Sequence, residues 1–189
     1  MPQLWIIAGP NGAGKTTFVS RQVGRRIPVV NPDTIAHSIP RIQGRLDERR
    51  AGRLAIERRR TLLSRSVDFA VETTLTGQGG LQFMHAAARA GYEVTLVYIG
   101  LESVDLSIER VLARVGRGGH PIPVSAIERR YPDTMAKLAR AVQLADRSFI
   151  LDNSDRRRRL LLAIDGGTVR FRAKALPSWF HRALPDYAR

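Results

Sequence analysis

The sequence predicts an α/β fold built on a doubly wound, mainly parallel sheet of five strands, and three observations predict it. Short apolar runs alternate with helical stretches along most of the chain, the rhythm of strand–helix–strand crossovers. The first run, Leu4-Trp5-Ile6-Ile7-Ala8, leads straight into Gly9-Pro10-Asn11-Gly12-Ala13-Gly14-Lys15-Thr16, which satisfies G-x-x-x-x-G-K-[ST] in full. Several later runs end in acidic or hydroxyl residues, where open sheets of this kind bind ligands. A chain of 189 residues suits one domain with a sizeable core, so residues 1–189 are read as a single domain.

The elements follow in order. After β1 at Leu4–Ala8, Lys15-Thr16-Thr17-Phe18-Val19 opens a helix, and Ile27-Pro28-Val29-Val30 is a second strand ending in Asn31-Pro32-Asp33. A helix rich in arginine is predicted from about Leu46 to Arg65. Phe69-Ala70-Val71 is a third strand ending in Glu72-Thr73-Thr74, followed by a helix around Leu81–Ala90 that Gly91 closes. Val94–Ile99 is the clearest strand. Helices at about 104–115 and 124–145 flank the loop 116–123, and Ser148-Phe149-Ile150-Leu151 is the fifth strand, ending in Asp152-Asn153-Ser154. The tail from about 156 to 189 predicts a hairpin around Asp165-Gly166-Gly167 and a small amphipathic cap at 177–184.

The glycine-rich motif dictates chemistry. Gly9, Gly12 and Gly14 permit turns that a Cβ would block, and successive N–H groups of Gly9, Asn11, Gly12, Ala13, Gly14, Lys15, Thr16 and Thr17, with Pro10 shaping the loop, can surround one anion at a helix N-terminus. Lys15 is expected to reach the β- and γ-phosphates, and the Thr16 hydroxyl to ligate Mg²⁺. The expected fold class is thus a P-loop NTPase that binds a nucleoside triphosphate, expected to be ATP, with Mg²⁺.

Composition bounds the rest. The absence of cysteine excludes disulfides and a cysteine-ligated zinc, and the four histidines are scattered. No apolar stretch approaches the roughly twenty residues that span a bilayer. The N-terminus carries no secretory pattern, so the expected location is the cytoplasm, with no membrane partner. The net charge of +14 comes from 31 basic residues, all arginine except Lys15, Lys137 and Lys174. Nucleic acid is a weaker reading of that charge, because no run interleaves arginine with aromatics. An acidic partner protein or a phosphorylated substrate accounts for it equally well.

Phosphoryl transfer needs a group that orients and deprotonates the acceptor and another that binds metal or substrate. Asp33 and Glu72, with Thr73 and Thr74, end two predicted strands and are candidates. Asp33 is alternatively a helix cap, and Glu72 a turn or capping acid. Arg110, Arg114 and Arg117 form one helical stripe opposite an apolar face, and with Arg129-Arg130 beyond a Gly/Pro loop they make 105–130 a candidate lid. Singly, each arginine reads as a solvated charge; together they can neutralise a transferring phosphoryl group.

In order, Gly9–Thr17, Asn31-Pro32-Asp33, Glu72-Thr73-Thr74-Leu75, Arg110-Val111-x-x-Arg114-Val115, Gly118-Gly119-His120-x-x-Pro123, Arg129-Arg130-Tyr131 and Asp152-Asn153-Ser154 resemble the zeta-toxin-like P-loop kinases, over nearly the whole chain to residue 154. The resemblance implies a kinase-type core. In it Lys15 and Thr16 hold phosphates and Mg²⁺, Asp33 is the base, and Glu72, Thr73 and Thr74 line the acceptor pocket. Arg110, Arg114 and Arg130 would stabilise the transferred group, and Asn153 would sit at the nucleotide. It further implies a hydroxyl-bearing small-molecule acceptor, nucleotide-sugars in the best-described members, and an antitoxin partner. Leu75-Thr76-Gly77 stands where those toxins have an arginine for the nucleotide-sugar, which leaves the acceptor open. A polynucleotide or nucleoside acceptor and a regulatory ATP-binding module are the alternatives.

Overall fold

The computed structural model describes residues 1–24, 26–44 and 46–189. Its single sheet has the order β2-β3-β1-β4-β5-β6-β7. β1 (Gln3–Ala8), β2 (Val29–Val30), β3 (Phe69–Thr73), β4 (Glu93–Gly100) and β5 (Arg147–Asp152) are the five expected parallel strands. Parallel strands are covered on both faces, which is why these segments read as runs and not alternations.

The count of five needs a correction. β6 (Arg159–Asp165) and β7 (Thr168–Arg172) extend the same sheet antiparallel from β5, giving seven strands. The reason is physical: the outer edge of β5 would otherwise leave its N–H and C=O groups unpaired, and Leu161, Leu162 and Ile164 of β6 are buried. Gly166 and Gly167, with φ of 55° and 75°, make the tight turn between them.

Helices α3 (Glu48–Ser64), α4 (Gly79–Arg89) and α6 (Val124–Leu144) lie on one face over Leu4, Ile6, Val94 and Leu96, while α1 (Lys15–Gln22) meets Ile7, Val97 and Ile99 on the other. α5 (Val104–Val115) lies against α6. Two elements differ from expectation. A seven-residue helix, α2 (Pro32–Ser38), follows β2 directly, with Pro32 in its first turn. The C-terminal segment is more than a surface cap: α7 (Ser178–Ala183) sends Trp179 and Phe180 into the main core. A Cβ on Gly100 would come within 2.3 Å of the Trp179 ring, so the last residue of β4 must be glycine for α7 to seat. No described helix is long and apolar enough to cross a membrane.

Candidate active site

The loop between β1 and α1 is fixed by its neighbours. Gly9 takes φ 141°, and a Cβ there would lie 2.1 Å from the Ile99 carbonyl oxygen, so the loop can leave β1 only through glycine. Gly12 and Gly14 have φ of 73° and 86°. The Ser107 hydroxyl on α5 donates to Asn11 O at 2.6 Å, and the Asn153 side-chain amide donates to Ala13 O at 2.9 Å, so the loop is clamped from α5 and from the end of β5. Lys15 is buried, and its Nζ donates to Gly9 O and Pro10 O, both at 2.9 Å. Burial lowers its pKa, while Glu72 and then Asp33 pull it back up.

Glu72 is neither a cap nor a turn acid. Its two carboxylate oxygens accept from the Thr16 hydroxyl and from the Asn31 side-chain amide, each at 2.8 Å. Burial raises its pKa, against the opposing pull of Lys15 and these two hydrogen bonds. Asn31 also caps α2, its side-chain oxygen accepting from Asp33 N at 2.8 Å. This settles the alternative for Asp33: the cap is Asn31, and the exposed Asp33 carboxylate has no hydrogen-bond or ion-pair partner among the described residues.

One cleft of about 550 Å³ collects most of the predicted residues: Asn11, Gly12 and Gly14 to Thr17 from the loop, Asp33, Glu72, Thr73 and Thr74 at or just beyond the strand ends, Arg110 and Arg114 from α5, Arg117 from the loop after it and Arg130 from α6. Gly9, Pro10 and Ala13 of the loop, and Asn153 beside it, do not line the cleft. Thr74 shares a hydrogen bond with Thr76 at 3.0 Å, and Leu75 between them takes φ 58° with its side chain buried, a strained turn that sets both threonines at the cleft. Arg110 lines the cleft and is also held from behind. Its guanidinium donates to Asn153 O and, at 2.9 Å, to Ser154 O, tying α5 to β5. Arg114 donates to His120 O at 2.8 Å, folding the loop 116–123 back on α5. The His120 ring meets Glu48 at 3.2 Å and His37 with ring centroids 5.7 Å apart, so that loop reaches across to α3 and α2.

The model of the family described as "Zeta toxin" matches residues 1–160. The chain belongs to the zeta toxin family. An uncharacterized protein of Haemophilus influenzae is 34% identical over 136 residues, which cover 68% of this chain and 97% of that protein. Among solved structures, the PezAT chromosomal toxin-antitoxin system of Streptococcus pneumoniae superposes with a TM-score of 0.65 at 18% identity, over 99% of this chain and 78% of that one. The AvrRxo1-ORF1:-ORF2 structure with ATP gives 0.74 at 16% identity, over 89% of this chain, which spans 60% of that chain's length. With this family and this fold, the protein is a kinase-type phosphotransferase.

Sequence reasoning missed the roles of Ser107 and Asn31. Asn31 carried a signal in the Asn-Pro-Asp run, since Asn before Pro at a helix start is a capping pattern. Ser107 carried none, being one hydroxyl inside a helix.

Proposed function

We propose that the protein transfers the γ-phosphate of ATP to a hydroxyl of a small molecule, with Asp33 as the base. The observation that carries this reading is the unpartnered Asp33 carboxylate, across one cleft from Lys15, Arg114 and Arg130. Lys15 would exchange the Gly9 and Pro10 carbonyls for phosphate oxygens. The acceptor oxygen attacks the γ-phosphorus, its proton passes to Asp33, and the bond to the β-phosphate oxygen breaks to release ADP. Arg114 and Arg130, with Lys15, hold the charge of the transferring group; Arg110 acts by positioning the β5 end. Thr16, held by Glu72, fits a Mg²⁺ ligand, and the metal would neutralise the β- and γ-oxygens. Thr17, Phe18, Asn153 and Arg158 border a second hollow of about 390 Å³ beside the loop, with Arg158 Cζ 5.3 Å from the Phe18 ring centroid, which suits the nucleoside end.

A nucleotide-sugar is the acceptor suggested by family, and an acidic antitoxin the partner suggested by the toxin-antitoxin relatives and the basic surface. The test is ATP plus a pool of cell metabolites, read by mass spectrometry. The expected product is a species heavier by one phosphate that forms with the wild type and not with Asp33→Asn. ADP release with no phosphorylated metabolite, at equal rates for both proteins, would reject the reading.

A further inference from the structure

A separate cavity, of about 220 Å³, adjoins the cleft and shares Pro32, Glu72, Thr73 and Thr76 with it. Its outer wall is a stripe of α3, Gly52, Ala55, Ile56 and Arg59, and its end is the start of α4 at Gly79 and Gly80. Three features of this cavity favour an anion. The Arg59 guanidinium lies 4.8 Å over the ring of Phe83, one turn beyond Gly79 and Gly80, and among the described residues it makes no hydrogen bond or ion pair; its Nε is buried without a partner. Burial and the neighbouring Arg60 both work against its charge. α4 has no side-chain cap and no acid in its first turn, so its positive end faces a second positive group. Gly52 lies inside α3 with nothing within 4 Å of where a Cβ would stand, so packing does not call for glycine there and its missing side chain leaves room in the cavity.

We propose that this cavity is an anion subsite for the acceptor, holding a phosphate or carboxylate of a compact alcohol between Arg59 and the first-turn amides of α4, while the hydroxyl end reaches Asp33. Glu72 borders the shared side, which assigns the anion to the α3–α4 end. The cavity is smaller than the roughly 300–1,000 Å³ of pockets for drug-sized ligands, so the group it takes is a short charged head and not a whole nucleotide-sugar. The hydroxyl end rests on the kinase reading; the anion end does not.

The test is amide NMR of the protein saturated with Mg²⁺ and a non-hydrolysable ATP analogue, titrated with inorganic phosphate and, separately, with acetate. Saturable shifts of Gly79 and Gly80 are expected. Arg59→Met, which keeps the stem over Phe83, should weaken them at least tenfold, and Arg59→Lys should restore part of the affinity. Gly52→Leu should block them while leaving the thermal transition as high or higher, because leucine is the better helix former. Tighter phosphate binding assigns a phosphate ester, and tighter acetate binding a carboxylate. No shift at Gly79 and Gly80 with either anion, or equal affinity in the wild type and Arg59→Met, overturns the subsite. Failure to bind the ATP analogue would instead count against the kinase reading, and the Arg59 comparison would still decide the subsite.

Discussion

Asn31 relieves Asp33 of helix capping, and this division of work makes Asp33 the sharpest test among single residues. Asp33→Asn should lower kcat by roughly a hundredfold or more, the range for losing a positioned base, while analogue affinity and thermal stability stay at wild-type values. A stability loss in place of a rate loss would mean that the carboxylate is structural after all. Lys15→Ala should abolish ATP turnover and weaken nucleotide binding in a folded protein, measurable by calorimetry beside a denaturation curve. Glu72 gives a pH test. Its folded pKa is raised by burial, so the native state binds a proton more readily than the unfolded chain, and stability falls as pH rises from about 4.3 through the raised value. Glu72→Gln removes that dependence. The wild type should therefore lose melting temperature relative to Glu72→Gln across this window, and parallel curves would refute the argument.

At the scale of elements, Asp152 joins β5 to the C-terminal segment, since its carboxylate accepts from Ser154, from Trp179 Nε1 at 3.1 Å on α7 and from Arg159 at 3.0 Å on β6. Burial alone would raise its pKa, but these hydrogen bonds outweigh it and lower it. That stability is present above about pH 4 and is lost as pH falls through the depressed value. Asp152→Ala should cost about 2–4 kcal/mol in urea unfolding at neutral pH, because it strands a buried indole N–H and removes the partner of Arg159. The loop 116–123 should gain hydrogen-exchange protection when the ATP analogue binds, as Arg114 gains a phosphate partner; equal protection in both states would argue against a lid. The same elements show what a sequence carries. The five parallel strands were legible because burial on both faces writes continuous apolar runs, and the loop because its motif prescribes backbone geometry. α2 was not, since only Ala36 of its seven residues is buried and no period emerges. Nor could the hairpin reveal that it joins β5, because edge pairing is a tertiary choice. The place of Lys15 was legible from the glycine-rich motif and that of Asp33 and Glu72 from the apolar runs before them, whereas Arg110's bonds to the end of β5 and the exposure of Arg59 to a cavity depend on neighbours far away in the chain.

For the whole molecule the question is what a net charge of +14 serves. A polynucleotide acceptor would release counterions on binding, and activity would fall steeply with salt; a compact anionic acceptor held at one or two guanidinium groups predicts a shallow dependence. The arginines of α3 are spread around that helix, and one of them, Arg59, turns to the acceptor cavity while most remain at the surface. That surface is also suited to an acidic partner laid over the cleft. Membership of the zeta toxin family sets the biological expectation. A kinase acting on an essential metabolite converts it, turnover after turnover, into a form the next enzyme cannot use, whereas a protein that only binds it is limited to its own copy number. Expression of the wild type alone in a bacterial cytoplasm should therefore slow growth, and expression of Lys15→Ala should not, because the proposed mechanism requires Lys15 for turnover while the hydrophobic core does not include it. Asp33→Asn should also be harmless, which separates loss of transfer from loss of nucleotide binding. Equal growth of all three strains at matched soluble expression would reject toxicity, and it would leave the phosphotransferase to a housekeeping acceptor.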